Sequence, residues 1–168
     1  MANWRLSVPV NGSNSNAPQS RAALEQAEFD DFLKSVVMPA FEEISAELQS
    51  KGRATEIRLA PAGISLNVAN NGVDEIYYNV YRYALPNRIF PYVEVKAKSR
   101  GSRVSKVNRT GSPLVNFKEN NITIKEITKE HVISSFYGYY NDILTAIAEV
   151  EAIEAAKREE YNYDKKTE

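Results

Sequence analysis

Seven basic side chains lie between residues 96 and 118, and no acidic side chain interrupts them. The glycines and hydroxyl residues between these cations let a backbone approach phosphate groups closely. We therefore predict that this basic loop binds single-stranded nucleic acid or another polyanion. A solvated loop that faces acidic helices of the same chain or of a partner is the alternative. The seven cations are Lys96, Lys98, Arg100, Arg103, Lys106, Arg109 and Lys118.

Four tyrosines on strands beside the basic loop carry rings suited to stacking on unpaired bases. Side chains alternate between the two faces of a strand, and this places the tyrosines on the sheet face turned away from the helices. The alternative to base stacking is that the long loop or a partner subunit covers them. No zinc-finger, ribonucleoprotein or phosphate-loop motif accompanies them. The four are Tyr77, Tyr81, Tyr83 and Tyr92.

Residues able to catalyse a reaction are scarce in this sequence. His131 is the only histidine and there is no cysteine, so histidine catalysis depends on one side chain, and thiolate zinc sites and cysteine nucleophiles are excluded. Carboxylates adjacent in a helix do not face one another as an acid and base must. We predict no catalytic residue, metal or cofactor. The paired carboxylates are Asp30 and Asp31, Glu42 and Glu43, and Asp74 and Glu75, the last two serving a turn.

Residues 128–150 contain the clearest helical pattern. Thr128 suits the N-cap, and Ile127 and Val132 are placed to close a hydrophobic staple across the first turn. Apolar residues then recur at steps of three and four, which puts them on one face. That face comprises Ile133, Phe136, Tyr140, Ile143, Ile147 and Val150.

The C-terminal helix is also long for the sheet it must cover. At 1.5 Å per residue, a helix of 23 residues is about 35 Å long, so its distal half overhangs a small sheet. An overhanging apolar surface favours packing against another helix, which is either the first helix of the same chain or that of a second copy. The predicted self-association residues are Ile143, Ile147, Val150 and Ile153.

The first predicted helix has an apolar stripe from Phe29 to Leu48. Pro39 lies inside this stripe, where its missing N–H should bend the helix or divide it. Gly52, preceded by Lys51, predicts the end of the helix.

Alternating apolar residues predict antiparallel strands around residues 56–59, 64–68, 73–84 and 93–97, with a last short strand at Ile122 and Ile124. A three-residue loop at 70–72 would pair Leu66 with Ile76 and keep aliphatic side chains together on one face. By the same register, Ile64 pairs with Tyr78. Residues 99–113 are predicted to form a long loop.

The fold class follows as α+β: an antiparallel sheet of about four to five strands, with an N-terminal and a long C-terminal helix packed on one face. We expect a flexible arm at residues 1–20, one domain at 21–153, and a polar tail at 154–168 that extends the helix and frays. The formal charge of −1 on 168 residues gives no strong field toward nucleic acid or membrane. Without a long apolar run or a signal-peptide pattern, we expect a cytoplasmic chain that binds no membrane.

We therefore predict a non-catalytic protein-interaction module of adaptor, chaperone-like or immunity-like type, acting with a protein partner or as a homodimer. Binding of single-stranded nucleic acid or another polyanion is the second hypothesis. A small-molecule enzyme is the third. The layout resembles small chaperone and adaptor modules in architecture only, and such likeness is weak support for a function.

Overall fold

A computed structural model describes residues 20–97, 108–117 and 121–166. Along the chain, an N-terminal helical region is followed by five antiparallel strands and then by a C-terminal helix. The sheet order is β1-β2-β3-β4-β5, so every strand pairs with its neighbours in the chain. The predicted α+β class, the number of strands and the two flanking helical regions are confirmed. The elements are α1 (Arg21–Phe32), a π-helical turn (Leu33–Val37), α2 (Met38–Ser50), β1 (Ala54–Ala60), β2 (Gly63–Asn70), β3 (Val73–Leu85), β4 (Arg88–Ala97), β5 (Arg109–Pro113), a 3-10 turn (Ile124–Glu126) and α3 (Lys129–Lys166).

The π-helical turn accommodates Pro39 without breaking the helical region. The Met38 N–H donates to the Leu33 carbonyl, which is the wider i to i−5 bond of a π turn. Pro39 then falls in the first turn of α2, where an N–H is not needed. The region ends as predicted, because Gly52 takes a φ of 84° and Arg53 N–H donates to the Leu48 carbonyl at 3.0 Å.

The hydrophobic core lies between the helices and one face of the sheet. Ile76, Tyr78 and Val80 of β3 are fully buried there, and their neighbours Tyr77 and Tyr81 lie on the opposite side of the strand. The predicted assignment of these residues to the two faces is confirmed. The helices contribute buried side chains that include Phe29, Phe41, Ile44, Val132, Phe136 and Ile143.

The turn between β2 and β3 is tighter than predicted. Asn71 and Gly72 have φ angles of 51° and 76°, and they form a two-residue hairpin turn that Asn-Gly favours. The pairing then shifts between Val68 and Ala69, which leaves Glu75 as the extra residue of a β-bulge.

This bulge changes the pairing of the whole hairpin. Leu66 pairs with Tyr78, and Ile64 pairs with Val80. The predicted pairs, Leu66 with Ile76 and Ile64 with Tyr78, are therefore wrong by two residues. A shift of two residues preserves the side of the strand on which each side chain lies, so the aliphatic face survives the error.

Two further predictions about strands are wrong. Ile124 begins a 3-10 turn instead of a strand, because Thr123 and Glu126 form a capping box: the Glu126 carboxylate accepts from the Thr123 backbone N–H at 2.7 Å, and the Thr123 side chain accepts from the Glu126 backbone N–H. The fifth strand is β5, which lies inside the segment predicted as a long loop and pairs with β4.

α3 is far longer than the part of it that covers the sheet. Its buried residues are Val132, Phe136, Tyr140 and Ile143, and Ile147 lies half-buried at the edge of the core. Residues 148–166 continue beyond that edge for about 28 Å. The helix therefore includes most of the predicted polar tail, up to residue 166.

No helix among the described residues is both long enough and apolar enough to span a membrane. The predicted arm at residues 1–20 lies outside the described residues except for Ser20, whose hydroxyl accepts from Ala23 N–H and caps α1. Most of the predicted basic loop lies outside them as well.

Candidate functional site

The exposed half of α3 presents apolar residues where the core has ended. Ile147, Val150 and Ile153 are partly buried, whereas every other described position beyond residue 150 is exposed. Positions spaced by three and four residues continue this surface through charged residues to Tyr161, whose side chain is 62% exposed. We call this surface the α3 seam. It comprises Ile147, Val150, Glu154, Lys157, Tyr161 and Asp164, with Ile153 beside Val150.

Ile143 does not belong to the α3 seam, although the sequence grouped it with the self-association residues. It is fully buried and packs within the chain's own core. The helix therefore changes role between Ile143 and Val150, from covering the sheet to projecting from it.

A buried polar cluster fixes α3 close to the point where it leaves the sheet. The Tyr140 hydroxyl donates to Glu75 Oε2 at 2.6 Å, and Arg53 Nε lies 3.7 Å from the same oxygen. Glu75 is only 7% exposed. The β-bulge turns this carboxylate toward the helices, so it joins β3, α3 and the segment between α2 and β1 instead of only serving the turn, as the sequence suggested.

Two more tyrosine hydroxyls hold α3 against the rest of the chain. Tyr78 and Ser135 are hydrogen-bonded at 2.7 Å, and Tyr137 donates to Glu47 Oε2 on α2 at 2.7 Å. Burial, followed by the bond to the carboxylate, raises the pKa of both Tyr137 and Tyr140 above the ordinary value. These phenols therefore act as hydrogen-bond donors over the physiological pH range.

Of the four tyrosines predicted as a stacking surface, Tyr81, Tyr83 and Tyr92 lie together with their rings in contact, whereas Tyr77 lies beside Lys96. Tyr83 and Tyr92 are stacked with their ring centroids 4.2 Å apart, and Tyr92 is only 9% exposed. Tyr81 lies 6.4 Å from Tyr92. Tyr83, at 43% exposure, has the most exposed ring of this group. A base that stacked here would have to compete with the ring contacts already present.

Lys96 is the only member of the basic loop whose side chain the structure describes. Its Nζ lies 2.8 Å from Glu94 Oε1 and 5.7 Å from the ring centre of Tyr77. The hydrogen bond to Glu94 raises the pKa of Lys96. Arg109 lies on β5 opposite Val95, and its side chain is outside the described part. The remaining predicted cations, Lys98, Arg100, Arg103, Lys106 and Lys118, also lie outside it.

His131 borders an open groove of about 580 Å³ between α3 and the segment after β5. The hydroxyl of Ser135, also beside this groove, is bonded to Tyr78. The Nδ1 of His131 accepts from the backbone N–H of Thr128 at 2.9 Å, as the glutamate of a capping box would. Through this contact His131 stabilises the first turn of α3. Within the described residues, no group of three or more His, Cys, Asp or Glu is placed to hold a metal ion.

Comparison of the chain with protein-family models, with curated proteins and with solved structures found no match. The site must therefore be interpreted from its own geometry.

Proposed function

We propose that the chain is a non-catalytic protein-interaction module that binds another polypeptide through the α3 seam. The observation that carries this proposal is the projection of α3 for about 28 Å beyond the core with Ile147, Val150 and Ile153 only partly buried. Apolar side chains on one side of a projecting helix lose contact with water when a second helix or a groove covers them.

The attachment of α3 supports the same proposal. The bonds from Tyr137 to Glu47 and from Tyr140 to Glu75 join the base of the helix to α2 and β3. A helix that is already formed and fixed at its base loses little conformational freedom when a partner binds, so more of the contact energy appears as affinity.

The test is amine-reactive crosslinking with mass spectrometry in cells that produce the chain. Lys157, Lys165 and Lys166 should crosslink to a polypeptide, and the double variant Val150→Asp/Ile153→Asp should lose those crosslinks. Leu24→Asp is the matched control, because Leu24 is 53% exposed on α1, far from the seam in sequence, and should leave them unchanged. Failure of these lysines to crosslink with any polypeptide, or crosslinks that persist in the double variant, would contradict the proposal.

A second candidate function is the binding of single-stranded nucleic acid or another polyanion. It is supported by Tyr77, Tyr81 and Tyr83, which are partly exposed on the sheet face opposite the helices. Binding to a labelled oligonucleotide should then weaken steeply with salt, and should be lost when Arg100, Arg103, Lys106 and Arg109 become Gln. An oligonucleotide that does not bind even at low salt rules this candidate out.

A further inference from the structure

We propose that the polypeptide bound by the α3 seam is α3 of a second copy, lying antiparallel, with the twofold axis between residues 155 and 156. This inference rests on the proposed function and adds the identity of the partner and the register of the pairing. It follows from the order in which apolar, acidic and basic residues occur along the exposed part of the helix.

The α3 seam follows the pattern of a helix pair. Its positions alternate by three and four residues, as the a and d positions of a heptad do. The apolar residues lie close to the core, while oppositely charged residues occupy the middle, with a tyrosine beyond them. In order these are Ile147, Val150, Glu154, Lys157, Tyr161 and Asp164.

In an antiparallel pair with its twofold axis midway between residues 155 and 156, the numbers of two residues that lie opposite each other add up to 311. Val150 then packs against Tyr161, and Glu154 meets Lys157 of the second copy. Positions beside the seam face their equivalents in an antiparallel pair, so Glu151 lies beside Arg158. The twofold axis repeats each contact, which gives four complementary ion pairs.

Other arrangements of the same two helices are electrostatically worse. A parallel pair in register places Glu154 against Glu154 and Lys157 against Lys157. Moving the antiparallel axis by half a heptad to residue 152 brings Glu151 against its own copy. Moving it to residue 159 places Glu154 opposite Asp164. Like charges at these positions oppose association, so among these arrangements only the pair with its axis between residues 155 and 156 brings opposite charges together, and it places Asp164 opposite Ile147.

The length of the exposed helix also fits this register. With the axis between residues 155 and 156, Lys166 of the second copy lies level with Thr145, just past the fully buried Ile143. The two helices therefore overlap along the whole exposed part of α3, and the last described residues of each helix reach the edge of the other copy's core, level with Ile147.

Disulfide trapping distinguishes the arrangements, because the chain has no cysteine of its own. We expect a crosslinked dimer when Val150→Cys and Tyr161→Cys chains are mixed and oxidised, and none when either variant is oxidised alone. Residues 150 of the two copies would lie about 16 Å apart along the axis in the proposed pair, too far for a disulfide. Crosslinking of either variant with itself would indicate a parallel pair and overturn the inference.

Sedimentation equilibrium of the intact chain provides a second test. A dimer that dissociates on dilution is expected, with Glu154→Lys or Lys157→Glu raising the dissociation constant by about tenfold or more. The double variant Glu154→Lys/Lys157→Glu restores opposite charges across the antiparallel pair and should regain most of the affinity. Glu149→Lys, an acid on the outward side of the helix, is the matched control and should change little.

Two outcomes would overturn the inference by sedimentation: a monomer at every concentration, or a double variant as weak as the single variants. Crosslinks from Lys157 to a different polypeptide in cells would then leave the proposed function standing with another partner. Loss of both self-association and those cellular crosslinks would remove the two proposals together.

Discussion

Glu75 shows how one side chain can join several elements. As the extra residue of the β-bulge it is free of ladder pairing, and its buried carboxylate meets Tyr140 and Arg53 instead. A buried carboxylate is costly unless donors compensate for the water it has lost. The stability of this region should therefore be sensitive to the loss of either partner.

We predict that Tyr140→Phe lowers the free energy of unfolding by about 1–3 kcal/mol, because the Glu75 carboxylate loses its hydroxyl donor while staying buried. Urea unfolding measures the change. Tyr163→Phe, at a ring that is 71% exposed and off the α3 seam, is the control and should change stability by less than about 0.5 kcal/mol. A Tyr140→Phe variant as stable as this control would show that the hydrogen bond contributes nothing.

Two glycines should respond to alanine in opposite directions. A Cβ at Gly63 would lie 2.2 Å from the Val80 carbonyl oxygen, so the paired backbones must separate, and we expect Gly63→Ala to cost about 1–3 kcal/mol. Gly138 lies inside α3, where such a Cβ would meet no atom within 4 Å apart from its chain neighbours and the backbone of its own helix. Gly138→Ala should therefore raise stability by about 0.5–1 kcal/mol.

Thermal and urea unfolding of the two glycine variants measure both changes. Equal effects of the two substitutions would mean that the close approach of β2 and β3 at Gly63 does not constrain the sheet.

Among the elements, the sequence predicts what depends on periodicity and misses what depends on a single contact. The stripes of α2 and α3 and the aliphatic side of β3 were predictable, because burial of one face requires a fixed repeat. The bulge at Glu75 was not predictable, because the tight Asn71-Gly72 turn favours one pairing and the aliphatic side chains favour another. Only the tertiary contacts of Glu75 with Tyr140 and Arg53 show which pairing the chain adopts.

The same distinction applies to the candidate site. The overhang of α3 was predictable from helix length and apolar spacing, but the boundary between its covered and exposed halves was not. Sequence periodicity treats Ile143 and Val150 alike, although one is fully buried and the other half-exposed. Where the core ends is set by the width of the sheet beneath the helix, and that is a tertiary property.

We predict that deleting residues 154–168 leaves the fold intact and removes association. Residues 154–166 are exposed, so the free energy of unfolding of the monomer should change by less than about 0.5 kcal/mol. Urea unfolding at low protein concentration and sedimentation at high concentration test the two parts separately. A loss of more than about 1 kcal/mol would indicate that this half of α3 stabilises the domain as well.

For the whole molecule, tyrosines beneath and beside α3 couple stability to alkaline pH. Burial raises the pKa of Tyr78 well above its usual range, so the folded chain retains a proton that the unfolded chain loses near pH 10. Stability from this residue is therefore complete below about pH 10 and falls as the pH rises toward the folded-state pKa.

We predict that Tyr78→Phe reduces the alkaline loss of stability by about 1 kcal/mol between pH 10 and 11, and by about 1.4 kcal/mol per pH unit above that, where the unfolded tyrosine has lost its whole proton. Urea unfolding at several pH values measures this slope. Phe41→Leu is the control, because it alters packing against the Tyr78 ring without removing an ionisable group, and it should keep the full slope. An unchanged slope in Tyr78→Phe would show that another group is responsible.

α3 contains neither proline nor glycine from Tyr139 to its end at Lys166. It should therefore behave as a rigid helix along this length. One alanine inserted after Ala152 would rotate every residue beyond the insertion by about 100° about the helix axis and would lengthen the helix by only about 1.5 Å. The number of residues in the exposed half of α3 therefore sets the orientation of its C-terminal end about the helix axis, and a single-residue insertion would change that orientation far more than the distance from the core.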